Sequence, residues 1–329
     1  MRLFNPVCAA LATTVALAAG VLAPLSVQAQ PAYPDKPVKF VVPYPPGGGT
    51  DVIARIVQER FQNALGVPVI IDNRGGAGGS LGTDLVSKAP PDGYTVLFTL
   101  SSHTINPYFY PKLPFDTAKD FEPVGTVASL PQILVANLNF PANNVAELIA
   151  LAKAKPNTVS FASVGNGSPG HLAGELFKLR TGTQMTHIPY KGGGPAINDI
   201  MGGQVPLLWV SIPAAAGFVK QGKLKALAVS TVKRSATFPD VPTMQEAGVR
   251  DFEVDSWYAM FVPAKTPKPV IERLNKALNA VVAAPEMKEK LLQQGSEAVG
   301  GTPAALGQIV TTELLKWGRL AKEANLRAE

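Results

Sequence analysis

Short apolar runs alternate with amphipathic stretches along most of this chain. Residues 38–42 (VKFVV) read as a buried strand, and Val52, Ile53, Ile56, Val57, Phe61 and Leu65 then recur at helical spacing up to Gly66. Residues 67–71 and 94–98 read as two further strands, with a glycine-rich turn (73–82) and a short helix (83–89) between them. This β-α-β-α-β order predicts an open, mostly parallel sheet. Residues 106–116 (NPYFYPKLPFD) read as irregular. The order resumes with a strand at 133–135, a helix at 145–153, strands at 159–162 and 185–189 flanking a helix, and a short helix at 196–201. Strands at 207–210 and 226–230 enclose a helix at 214–221.

The tail holds one returning strand (257–263) and helices at 270–283 and 285–294. A last helix is opened by Thr302 as cap and Pro303 in its first turn. One strand does not make a sheet, so the tail is predicted to return to the first lobe. The expected organisation is a two-lobed α/β protein: residues 30–128 plus 256–329 form lobe 1 and 129–255 form lobe 2. The chain would cross between them near 127–134 and 255–262, as a hinge.

Composition adds a compartment. Arg2, the apolar run 8–21 and Val27-Gln28-Ala29 have the form of a signal peptide over residues 1–29, cut after Ala29. The protein is therefore expected in the periplasm. Cys8 is the only cysteine of the 329 residues and lies in that leader, so no disulfide or cysteine metal site is expected. The net charge of +6 is spread without a basic stripe, which argues against nucleic acid as a partner. The three histidines lack ligand spacing, and the run 75–82 misses both nucleotide-loop patterns, so neither metal nor cofactor is expected.

The candidate chemistry lies in two strand-glycine-helix turns. In residues 43–51 (PYPPGGGTD), Tyr44, Gly48, Gly49 and Thr50 are candidate ligand contacts, with Thr50 expected to cap the helix. In residues 164–172 (VGNGSPGHL) the candidates are Asn166, Gly167, Ser168 and His171, with Ser168 expected as cap and Pro169 in the first turn. A helix N-terminus exposes unpaired N–H groups and the positive end of a dipole, so each turn suits a carboxylate or phosphate. Ser80, Ser102, Thr104 and Asn106 follow strands and are expected to add polar contacts, as is Tyr190 in the loop after residue 189. A Ser168/His171 hydrolase is the enzymatic alternative, but Asn166 stands where a nucleophile elbow needs glycine, and no acidic orienter is evident.

The motifs YPDKPVKFVVPYPPGGGTDVIAR, DNRGGAGGSLGTDLVSKAPPDGYTVL, INPYFYPKLPFD, GNGSPGHLAGELF, IPYKGGGPAINDIMGGQV and FPDVPTMQEAG, in this order, resemble the Bug family, the extracytoplasmic receptors of tripartite tricarboxylate transporters. The resemblance implies a type II periplasmic binding-protein fold that closes over a small carboxylate. It implies that residues 44–50 and 166–168 hold carboxylate oxygens, with Tyr190 on the second-lobe wall. The ligand would be a di- or tricarboxylate, an amino acid or an aromatic acid. The further partner would be a two-subunit membrane permease or, alternatively, a sensor ectodomain, and the receptor itself would be a monomer. Gly192, Gly193, Gly194, Val205 and Pro206 depart slightly from the family pattern, which leaves the pocket floor open.

Overall fold

A computed structural model describes residues 33–110, 112–190 and 192–323. The expected leader and Lys191 lie outside them. The first half runs β1 (Val38–Val42), α1 (Gly49–Leu65), β2 (Val69–Asn73), α2 (Ser80–Ser87), β3 (Thr95–Leu100), α3 (Ser102–Phe109) and β4 (Phe121–Ala136). Then follow α4 (Val145–Ala154), β5 (Ser160–Ser163), α5 (Pro169–Thr181), β6 (Thr186–Pro189), α6 (Gly193–Met201), β7 (Leu207–Ser211), α7 (Ile212–Lys220) and β8 (Lys225–Val229). The chain ends with β9 (Asp255–Pro263), α8 (Lys268–Ala283), α9 (Pro285–Gln293), β10 (Glu297–Gly300) and α10 (Pro303–Glu323).

The strand order is β2-β1-β3-β9-β4-β7-β5-β6, with β8 and β10 also pairing β4. Pairing is parallel within β2-β1-β3 and β7-β5-β6, and antiparallel wherever β4 or β9 takes part. The sheet is therefore mixed rather than mostly parallel, because the tail inserts β9 between β3 and β4. The fold is that of a type II periplasmic binding protein, two α/β lobes joined by a two-strand crossing.

Strand β4 is far longer than its apolar signal at 133–135. Its first part, up to Pro131, pairs β9, and residues from Gln132 onward pair β7 and β8. Ser230, fully buried, stitches the crossing. Its Oγ accepts the Gln132 N–H and donates to the Val254 carbonyl, while the Ser230 and Val254 N–H groups donate to Gln132 O and Ser230 O.

Two elements depart from the sequence expectation. Residues 102–109 form α3 although Asn106-Pro107 reads as a break. Proline at 107 removes the bond to the His103 carbonyl four residues back, and the Thr117 hydroxyl donates to that oxygen instead. Strand β10 pairs residues 126–129 of β4; its four residues, the last a glycine with another following, give little periodic signal.

His103, 3 % exposed, sits among Phe115, Phe121 and Phe261 at centroid distances of 6.4, 5.0 and 4.7 Å. Neither ring nitrogen has a partner, and burial lowers its pKa to about 3. An unsatisfied buried polar group costs about 1–3 kcal/mol. His103→Phe is therefore expected to stabilise the fold by ~1 kcal/mol or more, read as a higher thermal midpoint.

Candidate functional site

The N-termini of α1 and α5 face a common cleft of about 1070 Å³. Its walls include Tyr44, Gly48, Gly49, Thr50, Ser102, Asn106, Asn166, Gly167 and Ser168, so nine of the thirteen candidates meet there. Phe109, Tyr110, Val164, Val210 and Ala214 supply apolar wall, and Tyr258, Ser211, Gly192 and Gly193 are among the others that line it. No described residue lining the cleft carries a charge.

The first turn is built around a residue the sequence reading passed over. Gly48, not Thr50, is the N-cap of α1, and it has no side chain to satisfy the first N–H groups. Thr50 lies one residue inside the helix and is only 3 % exposed. Asp51 shapes the loop: its Oδ2 accepts the Gly47 N–H at 2.8 Å and Arg55 Nε at 3.0 Å, and its Oδ1 accepts Asn73 Nδ2 at 3.0 Å. Burial would raise the Asp51 carboxyl, but these donors outweigh it and hold the pKa below the ordinary carboxylate value. An acid in the first helical turn after three glycines is the signal that could have found it. Asn73 also donates to the Tyr44 carbonyl at 3.1 Å, joining the glycine-rich turn to the cleft.

Helix α3 fixes the adjoining wall. The Tyr44 and Ser102 hydroxyls share a short hydrogen bond, and Asn106 Nδ2 donates to Gly78 O at 2.9 Å. Burial raises the Tyr44 and Tyr258 hydroxyls, Tyr258 to about 12, so both remain neutral donors.

The second turn is more self-contained. Ser168 caps α5 as expected, accepting the His171 N–H at 3.2 Å, and its own hydroxyl donates to Gly165 O at 2.6 Å. The Gly167 N–H is also engaged, at 3.1 Å from His171 Nδ1. Asn166 takes no part in these bonds. The Ser168 proton points at a carbonyl and the His171 ring at a backbone amide, so the two side chains do not form a nucleophile-base pair.

Four candidates lie off the cleft. Ser80 opens α2 with its Oγ buried and unpartnered. Thr104 is fully buried, and its Oγ1 lies 2.8 Å from Ser101 O and 2.6 Å from Glu313 Oε2. Burial raises the pKa of that Glu313 carboxyl, against the relief of its bonds from Thr104 and Trp257. His171 stands behind the second turn, and the Tyr190 hydroxyl donates to Asp199 at 2.7 Å. For Thr104, His171 and Tyr190 a partner elsewhere in the fold or on the next turn engages the polar group that sequence position alone aimed at the ligand.

Among the described residues, no group of three or more His, Cys, Asp or Glu is placed to hold a metal. None of their helices is long and apolar enough to cross a membrane.

Residues 53–326 match the sequence model described as the tripartite tricarboxylate transporter family receptor. The chain belongs to this family. BugT of Bordetella pertussis is 38% identical over 311 residues, covering 94% of each chain. Two solved structures share the fold. One is R. palustris Rpa4515 with adipate, 34% identical with a TM-score of 0.78, covering 90% of this chain and 100% of the other. The second is MatC from Rhodopseudomonas palustris with bound malate, 31% identical with a TM-score of 0.74, covering 88% and 99%. The Bug receptor family is one of substrate-binding proteins rather than enzymes.

Proposed function

We propose that this Bug-family receptor captures a small carboxylate in the periplasm between residues 30–128 plus 256–329 on one side and 129–255 on the other. The observation that carries this reading is the uncapped N-terminus of α1, facing α5 across a cleft whose described walls bear no charge. In such a setting the N–H groups of residues 49–51 and the Thr50 hydroxyl are the strongest anion partners available. Tyr44, Gly48, Ser102, Asn106, Asn166, Gly167 and Ser168 complete the lining around the ligand. Gly167 shapes the wall rather than donating, because its N–H is spent on His171. Closure excludes water and strengthens each of these bonds. The ligand is then delivered to a tripartite tricarboxylate-type permease; adipate and malate in two relatives support the ligand class.

A thermal-shift panel of carboxylates, with adipate and malate among them, tests the reading. A ligand at one hundred times its Kd adds roughly 2.7 kcal/mol of stability. Thr50→Val is expected to weaken the best hit about tenfold, ~1.4 kcal/mol. No shift from any carboxylate, together with no acid co-purifying by mass spectrometry, would overturn it.

A further inference from the structure

Behind the second turn lies a pair of histidines that the cleft itself does not use. The His171 and His187 rings stack at 4.0 Å with planes 9° apart. His171 is only 6 % exposed. Its Nδ1 accepts the Gly167 N–H, so the ring proton sits on Nε2, which lies 3.9 Å from Glu175 Oε1. His187 Nε2 lies 2.7 Å from Ser163 Oγ. The Ser163 hydroxyl donates to Gly165 O at 3.0 Å and accepts the Gly165 N–H at 3.2 Å. Ser163 has no second proton to give, so His187 donates to it and is also the Nε2–H form. The pair thus reaches the turn at both of its glycines, 165 and 167.

Those two glycines are where the turn needs help. Their φ angles are +136° and +70°, in the region that side-chain-bearing residues rarely adopt. Nothing in local sequence selects that conformation over the many others a Gly-Asn-Gly segment can reach. The imidazole acceptor does so by rewarding one direction of the Gly167 amide. On its other side the His171 ring meets Phe109 of α3 edge-on, at 5.8 Å between centroids. Phe109 also lies against Gly167, where an added Cβ would be 3.5 Å from its ring. One side chain therefore contacts both the turn and the opposite lobe.

We propose that His171 is a positioning residue of this receptor: its neutral Nδ1 fixes the Gly165–Ser168 turn in the shape that presents Asn166 to the cleft. Burial, with His187 and Lys178 as the neighbours that add to it, keeps the ring neutral and its pKa near 3. A cationic ring would place a proton on Nδ1 facing the Gly167 N–H and lose the contact. The ligand arm of the test below rests on the receptor reading; the amide arm does not.

Asparagine places an oxygen acceptor where Nδ1 lies, whereas leucine keeps bulk without an acceptor. Amide hydrogen exchange by NMR on the unliganded protein at pH 7 is expected to show Gly167 protected in wild type. Protection should fall at least tenfold in His171→Leu and be largely restored in His171→Asn. The wild-type ring nitrogens should report the Nε2–H tautomer. With adipate as probe, affinity is expected to fall about tenfold in His171→Leu and recover in His171→Asn. Adipate failing to bind wild type would count against the ligand reading alone, because the amide arm is read without it. Equal Gly167 exchange in all three proteins, or an asparagine variant no better than leucine with both still folded, would overturn the proposal.

Discussion

Gly170→Ala should unseat α5 and cost the protein both stability and ligand. A Cβ at this position would lie 2.6 Å from the backbone carbonyl oxygen of Trp209. That oxygen belongs to β7, whose register with β4 places Trp209 opposite Leu134 in the middle of the sheet, so it has no freedom to withdraw. The helix must move instead, taking Ser168 and the second turn with it. Overpacking of this kind costs about 1–3 kcal/mol, a drop of roughly 2–12 °C in thermal midpoint for lobes of this size. Ligand affinity is expected to fall more than tenfold in the same calorimetric experiment. Gly217→Ala on α7 is the control: nothing lies within 4 Å of its added Cβ, so the midpoint should hold or rise.

Asp255→Asn should remove a loss of stability that wild type suffers as pH rises toward neutrality. Asp255 opens the returning strand β9 opposite Pro131, and both carboxylate oxygens lie 2.9 Å from Ser129 Oγ. Burial raises its pKa to about 7, against the partial relief of the Ser129 bond, and Glu313, Glu253 and Glu297 add to the rise. Lys316, whose Nζ reaches the Glu253 carbonyl at 3.2 Å, is the cation of that corner. A carboxyl with a raised folded pKa contributes stability that is fully present below its unfolded pKa of 3.8 and lost as pH rises through about 7. Each pH unit in that window is worth about 1.4 kcal/mol. Asparagine does not titrate, so the variant's advantage should grow by about 3 kcal/mol between pH 5 and pH 7 and hold level above it, measured as the difference in midpoint at each pH.

The histidines act in the opposite sense. His103, His171 and His187 have folded pKa values lowered to about 3, 3 and 4, each mainly by burial. Their contribution is complete above the ordinary value of 6.5 and is lost as pH falls toward those values. Asp255 and the histidines therefore act in opposite directions over one overlapping window below neutrality.

The alternation of strands and helices was legible because runs such as 38–42 and the 52–65 stripe announce their periods directly. The backbone donors were legible for a similar reason: glycines and a hydroxyl before an apolar helix state where unpaired N–H groups will be. The side-chain contacts were not. Thr104 turns to Glu313, 209 residues away, and Tyr190 to Asp199, and no local pattern says which of two polar neighbours a hydroxyl will choose. Helix α3 was hidden for the same reason, since the donor that compensates Pro107 comes from Thr117, beyond the reach of a helical pattern.

The place of β9 between β3 and β4 has a consequence for how the chain is made. Synthesis delivers β1, β2 and β3 early, yet the sheet they belong to lacks an inner strand until residue 263 has emerged. The strands β5 to β8 and their helices are complete by residue 229. The half encoded in the middle of the chain can therefore acquire its core first, while the half that begins the chain waits with an open edge.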